Sequence, residues 1–409
     1  SLHADPTVVL NGNQFQCGLV STGDTCTDVF DSPTGAGGFW PTGSPNAYMF
    51  NSGIMIAGII PEDAGFEWAG DTTGAYFFDA LGTQQHGTPI TNIYNSLDPA
   101  DLAAWPAEGS IPDFPFATAY IVDEEIFSTV LTRGGPGGTP RATGSQQDTW
   151  VMYWDGDPGL SANRDHPLGV TIEQRTMAWN FPSGNEATIF IFYKITNVTN
   201  NEEFQTLNEQ RFGIALPDEG WAFDSLYIAY GADPDVTADA TENFASVILP
   251  FNMGITYHAL FTAAEFSYPP SLFYPPFFTQ APGIVGVQYL KSPVDPNTGE
   301  EVGLTMFSVH ENPGSCNGLC DPTGDKQLWR YISGNVNPGL GDPSCSFEDP
   351  QEGRICYLPQ QPADARFFQA SGPFSLGAGQ STTVVVGMMA AATLNTSQIT
   401  LGAENPAGI

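Results

Sequence analysis

The chain has 409 residues, of which 45 are Asp or Glu and 11 are Lys or Arg, giving a formal net charge of −34 at pH 7. Three lysines and eight arginines cannot build a basic face, so nucleic acid and anionic membrane surfaces are excluded as partners. Disorder is excluded as well, because 41% hydrophobic and 12% aromatic residues supply a core.

Forty-five Gly and 34 Pro in so apolar a chain predict many turns between short strands, hence a mostly β fold. Residues Ser1–Pro45, rich in Gly, Thr, Asp and Pro, read as an N-terminal arm or irregular β segment. Residues 46–140 read as an N-terminal β region that opens on the apolar run Tyr48–Ile60, a buried strand or hairpin. Asp98–Trp105 places Pro directly after an N-cap residue and predicts a short helix. The Gly-Gly-Pro-Gly-Gly core of Arg133–Gly144 marks a boundary. Beyond it, residues 145–409 form a β-sandwich region with strands over Trp150–Trp154, Gly169–Trp179, Thr188–Thr196, Phe212–Leu216, Ser225–Tyr230, Gly283–Tyr289, Thr305–Val309 and Thr382–Met389.

Thr188–Thr196 is apolar on both faces, as a central strand covered on both sides would be, whereas Gly169–Arg175 alternates like a half-exposed one. No series of amphipathic helices separates the strands, so an antiparallel β-sandwich, one large or two packed, follows more naturally than a parallel α/β sheet. Ser371–Leu376, the glycine-rich turn after it and the strand Thr382–Met389 read as a hairpin closing the sandwich. The longest apolar runs, Ile54–Ile60 and Val384–Ala392, have strand length and fall short of a membrane span, so no membrane insertion is expected.

Six cysteines form three close groups, Cys17 with Cys26, Cys316 with Cys320, and Cys345 with Cys356. An even, clustered count without a CxxC pair favours disulfides and an oxidising compartment, with pairing expected inside each group. The chain starts at Ser1, as a form processed by signal-peptide removal would, so the expected location is extracellular or at the cell surface. Asn197 and Asn395 stand in Asn-x-Ser/Thr sequons compatible with glycosylation.

Catalytic signatures are missing. There is no Gly-x-Ser-x-Gly elbow, no His-Glu-x-x-His, no phosphate-binding loop, and the five histidines are dispersed. Two acidic turns stand out instead. In Asp155–Asp165 the oxygen-bearing Asp155, Asp157, Ser161, Asn163 and Asp165 recur in a Gly/Pro-containing turn; Asp233, Asp235 and Asp239 repeat the pattern. Hard oxygens on a tight loop suit calcium; the plainer reading of each stretch is an Asp-rich turn capped by its own side chains. The segment Phe266–Phe278, with Phe266, Tyr268, Phe273, Tyr274, Phe277 and Phe278 around two Pro-Pro pairs, is either a loop packed over its own sandwich or an interface with another subunit.

An ordered set of short motifs runs through the chain: Gly37-Gly38-Phe39-Trp40-Pro41, Asn51-Ser52-Gly53, Asp148-Thr149-Trp150, Pro167-Leu168-Gly169-Val170, Ala178-Trp179, Ala232-Asp233-Pro234-Asp235 and Ser371–Leu376. In this set the chain resembles large secreted or cell-surface proteins of Bacteroidetes, Gemmatimonadetes and related bacteria linked to type IX secretion. The resemblance implies export and a β-rich exterior protein, and no catalytic residue. The expectation is a non-enzymatic extracellular structural protein, a self-associating subunit of a surface layer, sheath or filament or an adhesin, held by disulfides and calcium. The alternative is a secreted polysaccharide-binding or polysaccharide-degrading protein, with glycans stacking on Trp40, Trp68, Trp105, Trp154, Trp179, Trp221 or Trp329.

Overall fold

A computed structural model describes residues 6–76, 87–104, 109–111, 114–119, 145–156, 166–236, 240–258, 283–312, 316, 319–342, 344–345, 354–359 and 361–391. The larger of two facing sheets runs in the order Asn243–Ile248, Met253–His258, Ile284–Lys291, Ser381–Ala391, Thr188–Asn197, Val170–Ala178, Gln147–Trp154. The two-residue strands Thr88–Pro89 and Tyr94–Asn95 cover the outer side of the last of these. The smaller sheet runs Ile355–Tyr357, Met306–Glu311, Ala365–Leu376, Phe223–Asp233, Asn51–Ile59, Thr72–Tyr76, and only its first pair is parallel. The protein is thus a mostly β antiparallel sandwich. Its described helices are α1 (Pro99–Ala104), α2 (Glu202–Phe212) and α3 (Asp325–Ser333).

Side chains of a strand alternate between faces, and that period builds the core. Ile191, Tyr193 and Ile195 point inward beside Val384, Val386 and Met388, and meet Ile54, Ile56, Ile228, Tyr230 and Phe367 from the smaller sheet. Each such fully buried side chain stabilises the fold by about 1.5–3 kcal/mol. The other face of the smaller sheet carries Met55, Ala57, Tyr227, Ala229, Phe368 and Ala370, on which α3 lays Leu328, Tyr331 and Ile332. Helix α3 is pinned by Asp342, which accepts from Arg330 Nη2 at 2.8 Å, Gln327 Nε2 at 3.0 Å and the Asn337 amide at 2.9 Å.

Thr188–Asn197 is central in its sheet, as its two apolar faces require. Several expectations change. Val170–Ala178 is buried along its whole length, not half-exposed, because its polar residues are paired: Glu173 accepts from Trp150 Nε1 at 2.8 Å and Arg175 binds Asp148. Phe212–Leu216 is no strand; Phe212 ends α2, which Asn201 caps through the Phe204 amide and Gly213 stops in the left-handed region at φ 74°. Ala365–Leu376 and Ser381–Ala391 do not pair as a hairpin, since each lies in a different sheet and residues 377–380 cross between them.

The first residues are built into the fold. Thr7–Leu10, Gln16–Val20, Gly38–Phe39 and Ala47–Met49 form a four-stranded sheet, and Leu10, Phe15, Cys17, Leu19 and Cys26 belong to the main core. Gln147 clasps this segment, its Oε1 accepting from the amides of Asn11 at 2.7 Å and Gly12 at 2.8 Å while its Nε2 donates to the Val9 carbonyl at 2.9 Å. A boundary at residue 45 falls within that four-stranded sheet, and one near 140 divides strands of the smaller sheet, where Asn51–Ile59 pairs directly with Phe223–Asp233.

Candidate metal centre

Asp155 follows the strand Gln147–Trp154 and is buried. Its carboxylate accepts from the amides of Leu168, Gly169 (3.2 Å) and Val170 (3.1 Å), which anchors the start of Val170–Ala178. This is the turn-capping role. Asp157, Ser161, Asn163 and Asp165 lie outside the described residues, as does Asp239.

Asp233 ends the strand Phe223–Asp233, on the same outer face of the smaller sheet that α3 covers. The antiparallel register sets Ala232 opposite Phe367, which brings Asp233 and Asp235 to the start of the strand Ala365–Leu376. There Arg366 Nε donates to Asp233 Oδ2 at 2.7 Å, and Arg366 Nη1 donates to Asp321 Oδ2. The other oxygen of Asp321 meets His310 Nδ1, and the His310 ring stacks on Phe368 at 4.3 Å between centroids. His310, Asp321, Arg366 and Asp233 thus form one buried chain. Beside it, Asp235 and Asp364 are partly exposed, and one carboxylate oxygen from each of Asp233, Asp235 and Asp364 lies within 4.8 Å of the other two. Asn312 Nδ2 approaches Asp364 Oδ2 at 3.5 Å.

This cluster is short of positive charge. Asp233 is 2% exposed, and its second oxygen, Oδ1, is buried without a hydrogen-bond partner. Burial pushes the Asp233 carboxyl up to about 7 against the opposing pull of Arg366, with Asp364 and Asp321 adding to the rise. Burial, then Asp233 and Asp364, push Asp235 well above the usual carboxylate range. Burial works against the charge of Arg366, but Asp233, Asp321 and Asp364 outweigh it and hold the guanidinium protonated. Three oxygens so disposed suit a hard cation.

Sequence reading found Asp233 and Asp235 but not Asp364, Asp321, His310 or Arg366. No linear signal joins them, since more than a hundred residues separate Asp233 from Asp364. The turn that presents Asp321 is stapled by the Cys316–Cys320 disulfide and bridged to Glu311 through Cys320. Cys17 pairs with Cys26 and Cys345 with Cys356.

The remaining candidates sit elsewhere. Asn197 Nδ2, the atom that glycosylation would modify, is buried and donates to the carbonyls of Trp221 at 2.8 Å and Leu376 at 3.0 Å, so this sequon is closed to a glycan in the folded protein. Asn395 and the aromatic residues Phe266, Tyr268, Phe273, Tyr274, Phe277 and Phe278 lie outside the described residues, as does Trp105. Trp40, Trp154 and Trp221 are core residues, not a sugar platform. Trp68 stacks on His166, Trp179 packs edge-on against Phe190, and Trp329 donates to the Ser225 carbonyl at 3.1 Å. No family model matches the chain, and no curated protein is similar to it.

Proposed function

We infer that this chain is an exported, non-enzymatic building block of a cell-surface structure, a layer, sheath or filament whose copies associate edge to edge. Support comes from three disulfides, which persist in an oxidising compartment, and from a mostly β fold in which no described helix is long and apolar enough to cross a membrane.

The observation that carries the reading is the edge strand Asn243–Ile248. It pairs with Met253–His258 over six residues without a register shift. Among the described residues its open side is met only at Asn243, whose carbonyl accepts from the Ala363 amide at 2.9 Å. By the period of a strand, the amides of Ala245 and Val247 turn the same way; Ala245 is buried, and Val247, partly exposed, presents its amide outward. Edges that must stay single are blunted by charge, proline or a bulge. Asn-Phe-Ala-Ser-Val-Ile has none of these, whereas the opposite edge of the sheet ends in two-residue strands, one of them containing Pro89. Such an edge is a template for strand addition by a second copy, and the arm, folded into its own core, is not needed for it.

Repulsion between copies carrying −34 each must be screened, so association should strengthen with salt. Sedimentation and electron microscopy at rising concentration should show ordered oligomers. Val247→Pro, which removes an outward amide, should leave folded monomers with an unchanged circular dichroism spectrum. A wild-type chain that stays monomeric at every concentration and ionic strength would overturn the reading.

A further inference from the structure

The geometry points to a binding site for a hard divalent cation of the calcium class at Asp233, Asp235 and Asp364, on the outer face of the smaller sheet. It stands apart from the assembly reading, because a resident ion would serve a monomer equally well.

The donor set is oxygen alone. All six cysteines are in disulfides, and the ligand atoms that converge here come from Asp233, Asp235 and Asp364 without a histidine nitrogen, so a thiolate- or imidazole-seeking metal finds no partner in this set. Calcium binds oxygen at about 2.3–2.6 Å, so atoms bound to one ion stand at most about 5 Å apart. The three carboxylates satisfy that limit, each offering an oxygen within 4.8 Å of the others.

A second observation is independent of the acidic count. Asp233 Oδ1 is buried and accepts nothing. Buried polar atoms nearly always have a partner, and a bare anionic oxygen is the costliest exception. Arg366 occupies Oδ2 and braces the carboxylate from behind through Asp321, leaving the other oxygen for an ion. The charges agree: with all four carboxylates ionised, Asp233, Asp235, Asp321 and Asp364 against Arg366 would carry three negative charges, which a divalent ion reduces to one. Water can complete the shell at the partly exposed Asp235 and Asp364.

The test is calcium titration calorimetry with thermal unfolding of the intact, oxidised chain, in low salt at neutral pH. Wild type should show saturable binding and unfold at a higher temperature in calcium than in chelator. Asp364→Asn should bind calcium at least tenfold more weakly and lose that rise. Its chelated form should unfold no lower than chelated wild type, because the substitution relieves repulsion; a collateral folding defect would instead lower both. Asp235→Asn should repeat the result and replaces the first variant if that one fails to fold, while Glu203→Gln at the exposed start of α2 should change nothing. Wild type without saturable binding, or both cluster variants binding as wild type does, would overturn the site.

Discussion

Two turns of this protein share a pattern, Asp155-Gly156-Asp157 and Asp233-Pro234-Asp235, yet their first carboxylates meet opposite surroundings. At Asp155 the chain folds back and offers three backbone amides, so the charge is consumed by the fold. At Asp233 the neighbouring strand brings Asp364 as well as Arg366, so acids accumulate faster than donors and one oxygen is left over. Alternating oxygens in a sequence report that a turn is oxygen-rich. What packs against the turn decides whether those oxygens build structure or remain available.

Substitutions can break or sharpen this contrast. The largest effect is expected for Arg366→Met, which leaves Asp233 and Asp321 buried without their cation; loss of a buried partner of this kind costs about 3–5 kcal/mol. Denaturant unfolding should show most of that loss in chelator and less in calcium, since an ion takes over part of the compensation. Asp155→Ala should cost about 2–3 kcal/mol by stranding buried amides. Here the loss should be the same in calcium and chelator, and Asp155→Asn should recover part of it; a calcium-dependent loss at Asp155 would erase the distinction between the two turns.

The smallest effect extends the contrast to a third carboxylate. Asp342 is fully partnered, and although burial alone would raise it, hydrogen bonds from Arg330, Asn337 and Gln327 hold its carboxyl below the usual range. A group depressed on folding stabilises above its unfolded pKa of about 3.9, and that contribution fades as pH falls through the folded value. Asp342→Asn should therefore cost about 1 kcal/mol at neutral pH, with the difference from wild type shrinking below about pH 4. Equal differences at pH 7 and pH 3 would show that Asp342 acts through shape alone.

Much of the sandwich was legible because apolar periodicity is local: Thr188–Asn197 and Ser381–Ala391 announce themselves as buried strands. Helix α2 carries local signals, an Asn201 cap, Glu202 and Glu203 in the first turn, and Gly213 at the end, but the apolar Phe212 and Ile214 at its close have the spacing of a strand. The alternation in Val170–Arg175 was real, yet polar positions are exposed only when nothing neutralises them, and Glu173 and Arg175 have buried partners. The candidate site was half legible. Asp233 and Asp235 are neighbours in sequence, whereas Asp364, Arg366 and Asp321 join them only through the register of three paired strands and a disulfide-stapled turn.

The crossing at residues 377–380 has a mechanical consequence. Ala365–Leu376 is hydrogen-bonded on both sides within the smaller sheet, and Ser381–Ala391 on both sides within the larger. Fully extended, the link from Leu376 to Ser381 reaches about 17 Å, against a sheet spacing of about 10 Å. The link is folded into a turn, the Gln380 amide donating to the Gly377 carbonyl at 3.0 Å, and Asn197 fastens it, its backbone amide donating to the Gln380 carbonyl at 3.0 Å and its own carbonyl accepting from the Gly379 amide at 2.8 Å. A load that draws the two layers apart meets the end of this tether after a few ångströms and must then shear a central ladder whole, where an edge would have peeled bond by bond.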